Sequence, residues 1–79
     1  MPTAGIVHFR DAANAAAPLI EARLLNVSLH GFRAAHTLTS LVSGQEVQFQ
    51  HAQAQGRARV AWNRILSSCV ESGFFILES

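Results

Sequence analysis

The side chains best placed to bind or react gather in Asn26-Val27-Ser28-Leu29-His30-Gly31, which brings an amide, a hydroxyl, an imidazole and a glycine into six residues. Asn and Ser bond nearby backbone groups and so favour turns, and glycine can take the positive φ that lets a strand bend back on itself. The stretch therefore reads as a polar lip between two strands. Ser28 and His30 would share a face if the strand ran on through them, setting a hydroxyl beside a base, but no acid nearby would orient the imidazole. A small Ser28/His30 hydrolase is accordingly the alternative, and a binding module, not an enzyme, is the main expectation. The chain holds one Asp, four dispersed His and one Cys, with no Gly-x-Ser-x-Gly, no His-x-x-x-His and no phosphate-cradling glycine loop. His30, His36 and His51 match no common ligand spacing, so neither a metal nor a cofactor is expected. The lone Cys69 reads as a small half-buried apolar residue.

All six cations are Arg, and the formal net charge is +1. Arg10, Arg23, Arg33, Arg57, Arg59 and Arg64 are spread among five acids, whereas a protein that tracks a nucleic-acid backbone needs a stripe of positive charge. No nucleic-acid polymer is expected as a partner. A few arginines still suit a nucleotide, because the guanidinium fork matches phosphates and the O6/N7 edge of guanine. No apolar run reaches the length of a membrane-spanning helix, and Met1-Pro2-Thr3-Ala4-Gly5 lacks a basic region followed by an apolar core. The expectation is a cytoplasmic protein without membrane contact. At 79 residues it is read as one domain, 1–79, too small to spare apolar surface for a deep cleft.

The elements that would position these residues read as strands. Gly5–Arg10 alternates Ile6/His8 against Val7/Phe9; an alanine-rich loop follows from Asp11 to Pro18; Leu19–Ser28 and Gly31–Ala35 form an antiparallel pair across the turn. His36–Gly44 reads as a loop with one helical turn. Glu46–Gln50 turns Val47 and Phe49 inward, Gln53-Ala54-Gln55-Gly56 supplies a turn, and Arg57–Trp62 alternates again. That period of two places Ala58, Val60 and Trp62 in the core. Ile65–Val70 fits either an extended turn or a short strand, and Phe74–Leu77 closes the sheet. The expected fold is an all-β antiparallel barrel of six or seven strands.

The segment Arg23-Leu-Leu-Asn-Val-Ser-Leu-His-Gly-Phe32 resembles the Asp/Asn-x-Ser-x-x-Gly element of PilZ domains, which are small bacterial β-barrels. The resemblance extends over most of the chain, because Gly44-Gln-Glu-Val-Gln-Phe49, Ala58-Arg-Val-Ala-Trp62 and Gly73-Phe-Phe-Ile76 fall where PilZ domains carry similar strands. It implies a signalling module related to cyclic di-GMP receptors, in which Asn26 and Ser28 bond a guanine or its ribose and Gly31 holds the turn open. The family's second element, an Arg-x-x-x-Arg just before the first strand, occurs nowhere in this sequence. Three explanations stay open. The domain acts by docking on a protein partner, such as the pilus-assembly ATPase or degenerate phosphodiesterase domain that similar proteins contact; Arg10 or Arg23 substitutes for the missing pair; or the chain is a fragment whose arginines lie upstream. The resemblance thus implies cyclic di-GMP binding that is weak or absent, with Asn26, Ser28, Gly31, Arg10 and Arg23 as candidate ligand residues.

Overall fold

The computed structural model describes residues 5–14, 16–52 and 54–78, which form six strands and no helix. They are β1 Ile6–Asp11, β2 Ile20–Val27, β3 Gly31–His36, β4 Glu46–His51, β5 Ala54–Ile65 and β6 Val70–Glu78. All neighbours pair antiparallel, and the order β1-β2-β3-β6-β5-β4 closes because β4 also pairs with β1. The fold is therefore a six-stranded antiparallel barrel. Closure leaves no long edge of unpaired backbone groups exposed, a recurrent hazard for small sheets.

Alternation along the strands fills the interior. Val7 and Phe9 on β1, Ala22 and Leu24 on β2, Phe32 and Ala34 on β3, Val47 and Phe49 on β4, Ala58 and Val60 on β5, and Phe74 on β6 are all buried. The phenylalanines form a continuous contact through the barrel. Phe32 stacks on Phe74 with centroids 4.7 Å apart, and Phe49 and Phe9 lie 5.0 Å and 5.3 Å from Phe32 and Phe74 respectively. Such pairs contribute beyond the area they bury. The loop between β3 and β4 caps this core with Leu41, which is also buried, and Leu38 packs against it.

That loop has no helical turn among its described residues. It makes bends and a tight turn in which the Gln45 N–H donates to the Val42 carbonyl at 3.1 Å, and Gly44 takes φ +92°, open to glycine at little cost. The loop then docks on β5 through Gly44 N–H to Val60 O at 2.7 Å and Val60 N–H to Gln45 O at 2.8 Å. The β4–β5 turn also sits earlier than its sequence suggests. Ala54 already pairs with His51, and Gln55 and Gly56 pair with Gln50 and Phe49, so those residues extend a strand instead of forming the turn; Gln53 lies outside the described residues. The ambiguous stretch near Ile65 resolves into the end of β5 and a hairpin in which Leu66 N–H donates to Cys69 O at 2.8 Å.

Three bulges interrupt the ladders, and two of them decide which side chains face outward. Between Leu24 and Asn26 the register shifts against Ala34 and Arg33, so Leu25 is the extra residue and Asn26 lies beside Arg33. Between Val60 and Trp62 it shifts against Phe74 and Gly73, which makes Ala61 extra and pairs Trp62 with Gly73. The third displaces Leu77 on β6. One extra residue flips every later side chain to the opposite face. Trp62 is consequently not a core residue: it is 37% exposed and lies over the outer side of the sheet. Ser43 supports this bulge by donating its hydroxyl to the Ala61 carbonyl at 3.1 Å.

Candidate functional site

The β2–β3 hairpin sets the Asn26–Gly31 residues at the rim of a surface depression. Ser28 closes the turn by donating its N–H to the Gly31 carbonyl at 2.9 Å, and its hydroxyl reaches the same oxygen at 3.3 Å. The His30 carbonyl accepts from Ile76 N–H at 2.7 Å, which ties the turn to β6. Gly31 does not take the positive φ expected of it. Its reason is proximity: a Cβ there would overlap the Phe74 carbonyl oxygen and stand 3.2 Å from the Phe74 carbonyl carbon. Glycine lets the backbone of β6 approach β3 at that point.

Asn26, Ser28, Gly31, Arg33, Trp62 and Phe75 line this depression of about 330 Å³, together with His30 and neighbouring strand atoms. It spans the outer face of β2, β3, β6 and β5, with Gly73 as part of its floor. The Trp62 indole lies across Gly73, where a Cβ would collide with the ring. An aromatic laid over a cross-strand glycine shields backbone that has no side chain of its own. The Arg64 guanidinium carbon lies 5.9 Å from the indole ring centroid while the side chain pairs with Glu71 at 2.9 Å. His30 stacks on Phe75 with centroids 6.3 Å apart. Two aromatic side chains, one guanidinium, an amide and a hydroxyl thus surround a shallow floor. Such a set can stack a planar ring and bond its edge.

Of the five candidate ligand residues, Asn26, Ser28 and Gly31 are brought together here. Arg23 is exposed on β2, paired with Ile6 and Ala35, and is not among the residues that line the depression. Arg10 lies on β1 where that strand pairs with β4, and it lines a different depression. The guanidinium that lines this depression is that of Arg33. Sequence reading missed Arg33 and Phe75, and it put Trp62 inside; the Asn26/Arg33 and Trp62/Gly73 pairings depend on bulges that no composition signal marks.

The Ser28/His30 pair does not form. The Ser28 hydroxyl donates to backbone, and the imidazole stacks on Phe75. Another serine and histidine meet inside the wall of the barrel, where Ser72 and His36 are both buried and His36 Nε2 lies 2.7 Å from Ser72 Oγ. The hydrogen bonds there run in one direction. Leu38 N–H donates to His36 Nδ1 at 3.0 Å, so the ring proton sits on Nε2 and is donated to Ser72. The Ser72 hydroxyl then donates to Asn63 Oδ1, and Asn63 Nδ2 donates to the Leu41 carbonyl at 2.9 Å. A base that activates serine must accept the serine proton, which this tautomer does not do. The chain of bonds instead fastens the Leu38–Leu41 loop to β3, β5 and β6. Extending the alternation Phe32, Ala34 by one step, and Phe74 back to Ser72, is the signal that would have placed both residues inside.

Burial pushes the imidazoles of His36 and His51 below their ordinary range. His51 packs edge-on to Phe32 at 5.5 Å within the barrel, while His30 is on the outside, so these three histidines do not converge. Among the described residues no group of three or more His, Cys, Asp or Glu is arranged to hold a metal ion, and no helix is long and apolar enough to cross a membrane. No protein-family model matches the chain, and no curated protein matches it.

Proposed function

We propose that the chain is a PilZ-type bacterial signalling module whose ligand-facing surface is the depression beside the β2–β3 hairpin, and that alone it binds cyclic di-GMP weakly or not at all. The observation that carries this reading is that Asn26, Ser28 and Gly31, the residues the resemblance singles out, line one depression on a six-stranded barrel. A guanine lying against Trp62 or Phe75 would have Asn26 and Ser28 at its edge. Arg33 would supply one guanidinium where the family uses two. Charge-assisted hydrogen bonds contribute about 1.5–3 kcal/mol each, so the loss of the second guanidinium with two such bonds removes enough to carry a micromolar site to millimolar, a difference of about 4 kcal/mol.

A second reading, a protein–protein adaptor of pilus or motility type, is favoured by the exposure of Leu29, Trp62 and Phe75 around the same depression. Aromatic anchors of this kind carry much of the energy at protein interfaces. Calorimetry with cyclic di-GMP tests the main reading. Weak or undetectable heat is expected from the unaltered chain, and any weak binding is expected to disappear in Asn26→Ala/Ser28→Ala. Micromolar binding that is lost on Arg10→Ala or Arg23→Ala would put the ligand elsewhere and overturn the assignment.

A further inference from the structure

The second depression, of about 500 Å³, lies on the outer face of β1, β4 and β5, and it does not depend on the reading above. Its lining follows from strand register. Arg10 pairs with Gln48, which pairs with Arg57; two residues along, His8 pairs with Gln50, which pairs with Gln55. All six side chains belong to the outward set, because Val7, Phe9, Val47, Phe49 and Ala58 take the inward one. The result is a grid of two rows and three columns that contains two guanidiniums, three primary amides and an imidazole, with the Glu78 carboxylate also lining the depression beside Arg57.

The acids stand around this grid. Glu21 lies 3.6 Å from His8, while Glu46 and Glu78 lie 3.6 Å and 3.4 Å from Arg57. These are long contacts between exposed groups, the kind whose net contribution is small and which an incoming anion can displace. Adjacent strands are about 4.8 Å apart, so Arg10 and Arg57 stand about 10 Å apart at the backbone, with Gln48 between them. Their long stems allow both guanidiniums to close on one tetrahedral oxyanion above the Gln48 amide. The amide-and-imidazole row sits about 7 Å further along the strands. It offers neutral donors and acceptors, suited to hydroxyl groups and unsuited to a second charge.

The geometry points to a second binding site on this face, for the phosphate monoester of a small hydroxyl-rich molecule such as a sugar phosphate. The phosphate lies between Arg10 and Arg57, and the hydroxyls lie on His8, Gln50 and Gln55. The cavity is of the size that takes ligands of this class.

Nitrogen-edited NMR of the full chain, titrated at constant ionic strength with ribose 5-phosphate, inorganic phosphate and ribose, tests the site. Ribose 5-phosphate is expected to move the Nε–H signals of Arg10 and Arg57 and the side-chain amides of Gln48, Gln50 and Gln55. Its affinity should exceed that of inorganic phosphate by about threefold or more, the contribution of one or two added neutral hydrogen bonds. Ribose alone should move nothing. Arg57→Gln should weaken ribose 5-phosphate by about tenfold, as expected for a lost charge-assisted bond. Uniform movement of all six arginines, or equal affinity for phosphate and ribose 5-phosphate, overturns the inference on the unaltered chain alone, even if the variant does not fold. The signals of Asn26, Arg33 and the Trp62 indole should stay still, which separates this site from the cyclic di-GMP reading.

Discussion

Strand β6 carries two opposite environments within six residues. Its inward side chains Val70, Ser72 and Phe74 are buried, whereas Gly73 and Phe75 border the outer depression and Phe75 is 52% exposed. Inside, three polar side chains partner one another: His36, Ser72 and Asn63 pass hydrogen bonds in one direction and end on the Leu41 carbonyl. Outside, Arg33 and Phe75 remain open to solvent, and Ser28 spends its hydroxyl on a single long bond at 3.3 Å. The difference separates what holds the barrel together from what a ligand can use. Substitutions on the inner side should cost stability, and those on the outer side should cost recognition.

The largest effect is expected at the centre of the inner set. Phe74 touches both Phe9 and Phe32, so Phe74→Ala should lower unfolding free energy by about 3–5 kcal/mol in denaturant titrations. That is a large share of the stability of a domain this small. A loss of under about 1 kcal/mol would mean that the phenylalanine chain is not the core.

A smaller loss is expected from Ser72→Ala. The substitution keeps the barrel filled but deprives His36 Nε2–H and Asn63 Oδ1 of their shared partner, and a buried group left unsatisfied costs about 1–3 kcal/mol. Hydrogen exchange should report where the loss falls. Amides of the Leu38–Leu41 segment, including Leu41 N–H on the Leu38 carbonyl, should lose protection ahead of those in β1. Uniform loss across the barrel would show that the network does not act locally as a fastener.

The outer face sharpens the comparison through Trp62. Read from alternation alone it belongs inside, where Trp62→Ala would cost as much as Phe74→Ala. Placed over Gly73 on the surface, its removal should cost about 1 kcal/mol, the scale of a cross-strand pair. The fluorescence of the unaltered chain should accordingly show a tryptophan open to a soluble quencher. A cost of about 3 kcal/mol or more would return Trp62 to the core and remove one wall of the depression.

These contrasts also show how far the sequence could be read. Strands were legible wherever apolar and polar residues alternate without interruption, as in Val7/Phe9, Val47/Phe49 and Ala58/Val60, because one face of each must meet the core. The Asn26-x-Ser28-x-x-Gly31 turn was legible for its residue types, although the glycine serves close approach to Phe74 and not a left-handed backbone. Bulges were not legible. Nothing in Asn26 or Trp62 announces that Leu25 or Ala61 is an extra residue, since the bulge depends on what the partner strand offers opposite. Trp62 turns outward through that gap, and Arg10 lies on β1 beside β4, away from the hairpin. The PilZ-type reading rests on the part that was legible, the hairpin, and is tested by ligand binding.

The gentlest perturbation of the inner set is pH. Burial lowers the imidazole pKa of both His36 and His51 relative to the unfolded chain, so between the two values the unfolded state binds more protons than the folded one. Stability must then be fully present above the ordinary histidine range, near pH 6.5, and must fall as pH drops through it toward the lowered values. For His36 the hydrogen bonds give the same sign. A protonated ring has no lone pair on Nδ1 to accept from Leu38 N–H, so charging it breaks the bond that seats the loop. Unfolding titrations from pH 8 to pH 5 should show a midpoint that is flat at first and then declines, and nitrogen NMR at pH 7 should find His36 neutral with its proton on Nε2. A midpoint that rises on acidification would show that these histidines gain charge partners in the fold, and the inner set would no longer be the sealed counterpart of the outer face.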